Sequence, residues 1–413
     1  MRVKNVFSVV GSVLLMISPA AMAEEDAIVV AEEAAVPSPP AAAQAETAQA
    51  ATQAETAQAA SPYSTNWVQQ MAPVRPCNSG FKFSGCLNAG GLFNDHGAEF
   101  NMASVNADNQ IGFDAAYGSI VKQARTGYGV ADWGMGLDAM FGRDARFLSS
   151  YIGFDSKMET GHRSDGTESY GFAFPQVYGE VSVNNVAVKM GHFYTTFGYE
   201  APIPSQRFFY SIGRSVEVSP ITHTGALATY KGIAGMEISA GWVMGENTLF
   251  ERGYGESLVL GSVKLLDGNR TSLKYDILKG DGAMFDQGGD LFRNDVVFTT
   301  KLDPLWETAL LVNYGKFTPD GGDAFKYTTL GGYLFYDLCP GWKLGGRAEW
   351  QRQWGGSDSQ EFIDLGFGVN WALGGDNLLL RPEIRYDRAV EPIFADGTED
   401  SQLCLGFDVL YKI

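Results

Sequence analysis

The residues best equipped for chemistry are charged and fall two apart along the chain. Within 341–387, Lys343, Arg347, Arg381 and Arg385 share one parity with Glu349, Glu383 and Asp387. The chemistry they offer is electrostatic: a basic stripe beside an acidic counter-row makes a transverse field that orders water and sorts solutes. The same charges would also form mutual salt bridges in any wet interior, and the pattern leaves both readings open. A second set lies in 194–223, where Glu200, Arg207, Arg214 and Glu217 are mixed with Phe208, Phe209, Tyr210 and three prolines. That stretch is too apolar for a solvated loop, so it is expected to fold inward as a constriction and oppose its charges to the wall. Packing over an outer rim is the alternative. His96, His162, His192 and His223 show no paired metal-ligand spacing, and no H-E-x-x-H, G-x-S-x-G or Walker pattern occurs. No catalytic residue, metal or cofactor is therefore expected, and the Asp/Gly-rich stretches near 280–290 and 320–323 read as turns.

Strands must position these charges, because one parity of each segment is apolar where the other is polar. Trp342, Leu344, Gly346, Ala348 and Trp350 alternate with Lys343, Gly345, Arg347, Glu349 and Gln351. Ile363, Leu365, Phe367, Val369 and Trp371 alternate with Asp364, Gly366, Gly368 and Asn370, and the chain closes on Leu403, Leu405, Phe407, Val409, Tyr411 and Ile413 against Cys404, Gly406, Asp408 and Lys412. Sixteen such segments are expected, from 84–93 through 176–183 to 401–413. Tight turns alternate with longer connections such as 142–175, 194–223, 280–291 and 354–360. An even strand count, with turns on one rim and loops on the other, describes an all-β, antiparallel up-and-down transmembrane barrel with both termini on the short-turn, periplasmic side. Trp306 and Tyr314, and Trp342 and Trp350, sit eight apart on the apolar parity. With Trp371 and Tyr411 they are expected to form the two aromatic girdles.

Composition agrees. Thirty Lys+Arg against 48 Asp+Glu give a formal charge of −18, which disfavours nucleic acid as a partner. Residues 1–23, with a basic start, an apolar run and Ala21-Met22-Ala23, read as a signal peptide. Residues 24–62 repeat QAETAQA, lack aromatics and read as a low-complexity periplasmic linker, leaving 63–413 for the barrel. Four cysteines are too few for a stapled scaffold. Cys77 and Cys86 are expected to form a local disulfide, and Cys339 and Cys404 are expected not to pair.

The phrases GHFYTTFGYEAPIPSQRFFYS (191–211), THTGALATYK (222–231), LLLRPEIRYDRA (378–389) and DGTEDSQLCLGFD (396–408) resemble the β-barrel porin-2, or OmpL-like, family of outer-membrane porins. The resemblance runs from about Leu87 to the C-terminus. It implies a passive, water-filled pore for small hydrophilic solutes and ions, made by a non-enzyme in contact with outer-membrane lipids and inserted by the barrel-assembly machinery. A plugged barrel with a structural or adhesive role is the runner-up, and a barrel hydrolase a distant third. Homotrimers are common among porins, but no subunit interface is legible.

Overall fold

The computed structural model describes residues 80–95 and 109–413, apart from 128, 159, 163–167, 269, 286, 357, 374, 376 and 396. The leader, the linker and Cys77 lie outside the described residues, as does His96. Among the described residues no helix is long and apolar enough to cross a membrane.

Seventeen strands follow one another antiparallel: β1 (Lys82–Asn94), β2 (Gly112–Lys122), β3 (Asp132–Gly142), the short β4 (Thr160–His162), β5 (Glu168–Val183), β6 (Val186–Tyr194), β7 (Thr222–Ile233), β8 (Met236–Val243), β9 (Ser257–Asp267), β10 (Thr271–Met284), β11 (Gln287–Lys301), β12 (Trp306–Pro319), β13 (Phe325–Cys339), β14 (Trp342–Gly355), β15 (Asp358–Ala372), β16 (Leu378–Ala389) and β17 (Ser401–Lys412). β4 pairs only with β5, and β3 pairs past it onto β5. The other sixteen close on themselves where β1 meets β17, from Cys86 opposite Lys412 to Asn94 opposite Cys404. Closure satisfies every strand edge, which a bilayer requires because its core offers no water to unpaired backbone groups.

The pleat sorts side chains as the alternation demands. On β15 and β17 the inward residues are buried, whereas Leu365 is 46% and Leu405 57% exposed on the outer face. Trp306, Trp342, Trp371 and Tyr411 lie on that outer face toward the short-turn rim, with Trp342 stacked on Trp371 at 4.8 Å. Tyr314, Trp350 and also Trp354 lie toward the opposite rim, Tyr314 and Trp354 with ring centres 6.4 Å apart. Tyr336, packed 4.5 Å from Trp306, joins the first group.

Two connections differ from expectation. The stretches 280–291 and 354–360 are hairpins continuing the ladder, with β10 running to Met284 and β11 starting at Gln287. Gly280 and Gly282 suggested a turn, yet they are strand residues in close contact: a Cβ at Gly280 (φ +142°) would lie 2.3 Å from the Ser257 carbonyl oxygen. The reversals come instead at Phe285 and Gly356, whose φ values are +53° and +55°. β5 likewise begins eight residues before 176. The connection before it contains helix α1 (Arg143–Leu148).

Candidate functional site

The connection 195–221, between β6 and β7, is the segment the sequence marked as too apolar for solvent. Its charges and backbone polar groups meet inward-facing side chains from strands on both sides of the barrel. At its start, Lys274 of β10 donates to the carbonyls of Thr196 and Gly198, the latter at 3.1 Å, and Gly198 N donates to Asp295 of β11 at 2.5 Å. Farther along, Arg381 donates to the carbonyls of Pro204 and Arg207, each at 2.9 Å, and Arg385 to that of Ile212 at 2.7 Å. Gln351 donates to the Arg214 carbonyl at 3.0 Å, and Arg293 of β11 to that of Val218. The chain thus crosses the bore from β10–β11 to β14–β16.

A segment with so little regular structure needs these donors. Apart from a four-residue helix, α2 (Arg214–Glu217), and one 3-10 turn at Pro204–Gln206, it is irregular, with a few internal bonds such as Arg207 to the Pro202 carbonyl at 2.7 Å and Thr195 N to the Ile221 carbonyl at 2.9 Å. Unpaired buried carbonyls are costly, and guanidinium groups satisfy two at once. The aromatics fill the wall where it is lowest. Phe208 packs on Phe335 at 4.9 Å and against Gly345, where a Cβ would come within 2.3 Å of its ring. Phe209 lies under the Arg347 guanidinium at 4.8 Å.

The wall charges named from sequence come together as a paired array. Arg347 meets Asp364 at 3.1 Å and Glu200 of the loop at 3.3 Å, and donates to Ser211 Oγ at 2.9 Å. Arg385 meets Asp364 at 2.8 Å and Asp387 at 2.9 Å, and Gln402 also donates to Asp387 at 2.9 Å. Arg381 pairs with Asp408. Glu349 accepts from Ser215 N and Oγ at 2.9 and 2.6 Å and from Tyr333, and Glu383 accepts from Ser211 N at 3.0 Å and from its hydroxyl. Lys343 stands apart, nearer the short-turn rim, 3.4 Å from Glu307 and 3.7 Å from Asp337. Arg347, Arg381 and Arg385 are only 3%, 1% and 1% exposed, so the loop covers this wall.

The loop's remaining charges pair more locally. Arg207 meets Asp144 of α1 at 3.2 Å, tying the loop to a second inward element, and Asp114 of β2 meets Arg143 at 2.8 Å. Arg214 pairs with Glu217 at 2.8 Å and lies over Phe362 at 3.8 Å, while Glu217 itself is partly exposed. Asp364 and Asp408 sit on the inward parity, yet nothing local in the sequence marks them as the arginines' partners. Nor does the sequence mark Asp144, or Glu246, which accepts from Arg293 at 2.8 Å, since pairing between distant strands and loops leaves no local signal. Cys86 and Cys404 are buried and Cys339 is exposed; none of the three is bonded to another. Among the described residues no group of His, Cys, Asp or Glu is arranged to hold a metal.

Burial pushes the Glu200 carboxyl up to about 7; Arg347 pulls it down and Glu349 pushes it further up. Asp144, buried beside Arg207, is pushed up to about 8. Both shifts are upward, so the docked loop holds protons that a freed loop would release. The stabilisation is complete below the ordinary carboxylate range and is lost as pH rises through about 7 for Glu200 and about 8 for Asp144. Channel current noise from loop motion is therefore expected to grow between pH 5 and pH 8, and Glu200→Gln to flatten the lower part of that rise; an identical profile in the variant would refute the assignment.

The overall fold has solved counterparts. OmpT, an outer membrane protein of Vibrio cholerae in its trimer form, matches with TM-score 0.55 at 11% identity over 81% of this chain and 99% of that one. An anion-selective porin from Comamonas acidovorans matches with TM-score 0.55 at 11% identity over the same shares. The outer membrane channel DcaP of Acinetobacter baumannii matches with TM-score 0.54 at 10% identity, over 82% of this chain and 99% of that one. No curated protein sequence matches the chain. The model of the family described as "Putative beta-barrel porin-2, OmpL-like" matches residues 80–413. With a closed barrel whose charges point inward and whose outer face is apolar, the chain belongs to that porin family.

Proposed function

We propose that the protein is a passive outer-membrane channel for small hydrophilic solutes and ions, narrowed by the 195–221 segment into a charged constriction. The observation that carries this is the crossing itself: a loop held inside the bore by Arg381, Arg385, Gln351 and Lys274 covers the β14–β17 side. On β7–β9 the inward residues nearer the short-turn rim, Thr229, Ser239 and Ser262, stay half-buried, whereas Leu227, Val243, Leu258 and Leu260 farther along are buried. A bore filled at the level of the loop and wetter toward the short-turn rim is a narrowed pore. The exposed apolar outer face, with aromatics toward both rims, supports contact with acyl chains and headgroups. The barrel's first and last strands end on the rim of short turns such as Asn184-Asn185, which supports termini facing the periplasm and a chain delivered there by a cleaved leader. A homotrimer fits the fold, since the V. cholerae counterpart is described in a trimer form.

The near-complete burial of Arg347, Arg381 and Arg385 favours a second reading, a plugged barrel with a structural or surface role. Liposome swelling separates the two. Vesicles carrying the full-length protein should swell in small sugars and amino acids, with rates falling steeply as solute size grows. Vesicles that hold inserted protein and do not swell would favour the plugged barrel.

A further inference from the structure

The membrane-facing side of the barrel carries one group of cations with no acid among them. Among the described residues, the only charges that β12, β13 and β14 present on their outward parity are Lys316, Lys326 and Arg352. Lys316 is directly opposite Lys326, Lys326 is directly opposite Trp354, and Arg352 is one pair along on β14. From Trp306 at the short-turn rim to Lys316 a tilted strand rises about 25 Å, the height of the apolar band, so the group lies at the far membrane boundary. Aromatic rings mark the same level: the ring centre of Tyr314 is 6.3 Å from that of Phe292 and 6.4 Å from that of Trp354.

Like charges directly opposite each other weaken a ladder. Here the protein itself gives the pair no relief, since neither Lys316 nor Lys326 forms an ion pair or a side-chain hydrogen bond among the described residues. The bordering acids are engaged or turned elsewhere. Glu361 of β15 is 3.6 Å from Arg352, and Asp290 of β11 is opposite Asp281 on one side and Thr318 on the other. Asp320 follows the end of β12, and the carboxylate of Asp323 lies over Gly356, where a Cβ would meet it at 3.0 Å. Lysine stems run along apolar surface and hold the ammonium in the headgroup layer, where lipid phosphates lie. Two ammonium groups side by side above the rings of Tyr314 and Trp354 suit a phosphate, whose oxygens accept from both at once. Other cations at this rim lack such a pairing: Lys279 of β10 has Asp281 two residues on, and Arg388 of β16 meets Asp400 at 3.7 Å.

We propose that the outer face of β12–β14 binds a phosphate-bearing lipid headgroup, with Lys316 and Lys326 gripping the phosphate, Arg352 beside them, and Tyr314 and Trp354 beneath. The site concerns the lipid face alone and stands whether or not the bore conducts. With the orientation proposed above, the leaflet is the outer one. Native mass spectrometry of the full-length protein in detergent, titrated with diphosphoryl lipid A, tests it. The unaltered protein should retain the lipid, and Lys316→Gln with Lys326→Gln should weaken binding roughly tenfold or more. Each single change should give part of that loss, which keeps the test decisive if the double variant does not assemble. Lys279→Gln removes the same charge from the same boundary outside the site and should leave binding unchanged. Lipid A stripped of its phosphates should bind the unaltered protein no better than diphosphoryl lipid A binds the double variant. Undiminished binding by the folded lysine variants would overturn the proposal, as would an equal loss in Lys279→Gln, which would show general charge attraction. Displacement of the lipid by excess inorganic phosphate would overturn the lipid assignment in favour of a free-phosphate site.

Discussion

Changing Arg347, Arg381 and Arg385 together to alanine will release the 195–221 segment from the wall and enlarge the channel current by roughly twofold or more, with added flicker. The three guanidinium groups hold the loop through the carbonyls of Pro204, Arg207 and Ile212 and through Glu200. Truncating them also leaves the buried Asp364, Asp387 and Asp408 without their guanidinium partners beneath the loop. Removing one partner of a buried pair typically costs about 3–5 kcal/mol, and those costs fall on the docked state, because an undocked loop lets water reach the acids. The barrel should survive, since its ladder runs through backbone groups that the substitutions leave intact. Arg→Lys at the same positions should give an intermediate effect: the charge remains while the planar fork that bridges two acceptors is lost. Single-channel recording with gel-shift measurement of barrel integrity checks this. Unchanged current in a folded triple variant would show that the loop is held by its aromatics alone.

The second large effect concerns the outer face. Leu365 and Leu405 lie near the middle of β15 and β17 and point away from the bore. Arginine at either position should destabilise the protein by about 2–4 kcal/mol in lipid vesicles, the cost of placing a charge near the bilayer midplane. A serine there should cost much less. Urea titration followed by tryptophan fluorescence measures the difference, with the midpoint concentration falling and the slope m unchanged. If Leu365→Arg proved neutral in lipid, that face would not contact acyl chains, and the membrane assignment would lose its physical basis.

How much of this was legible differs between the scaffold and the site. Strands such as 341–353 and 401–413 were placed within two residues at each end because a period of two survives in any pleated segment with unlike faces. At Phe285 and Gly356 the sequence suggests loops where the structure has hairpins. Glycine in a strand permits close backbone approach as readily as it permits a turn, and local sequence does not separate the uses. The wall arginines were visible through their parity. That their function is to grip a loop, and that Asp364 is shared by Arg347 and Arg385, depends on cross-strand register over three strands. Helix α1 was not expected, since six residues carry too little periodicity to stand out, yet its Asp144 anchors Arg207. The inward path of the loop was suggested by Phe208, Phe209 and Tyr210, whose burial then followed from where the guanidinium groups are.

The central claim, a water path through this barrel that the crossing loop narrows, is tested most directly by current through single copies of the purified full-length protein in a planar lipid bilayer. The account predicts discrete, uniform steps in the unaltered protein and larger, noisier steps after the arginine wall is removed. Electrically silent bilayers in both cases, with insertion verified independently, would contradict it.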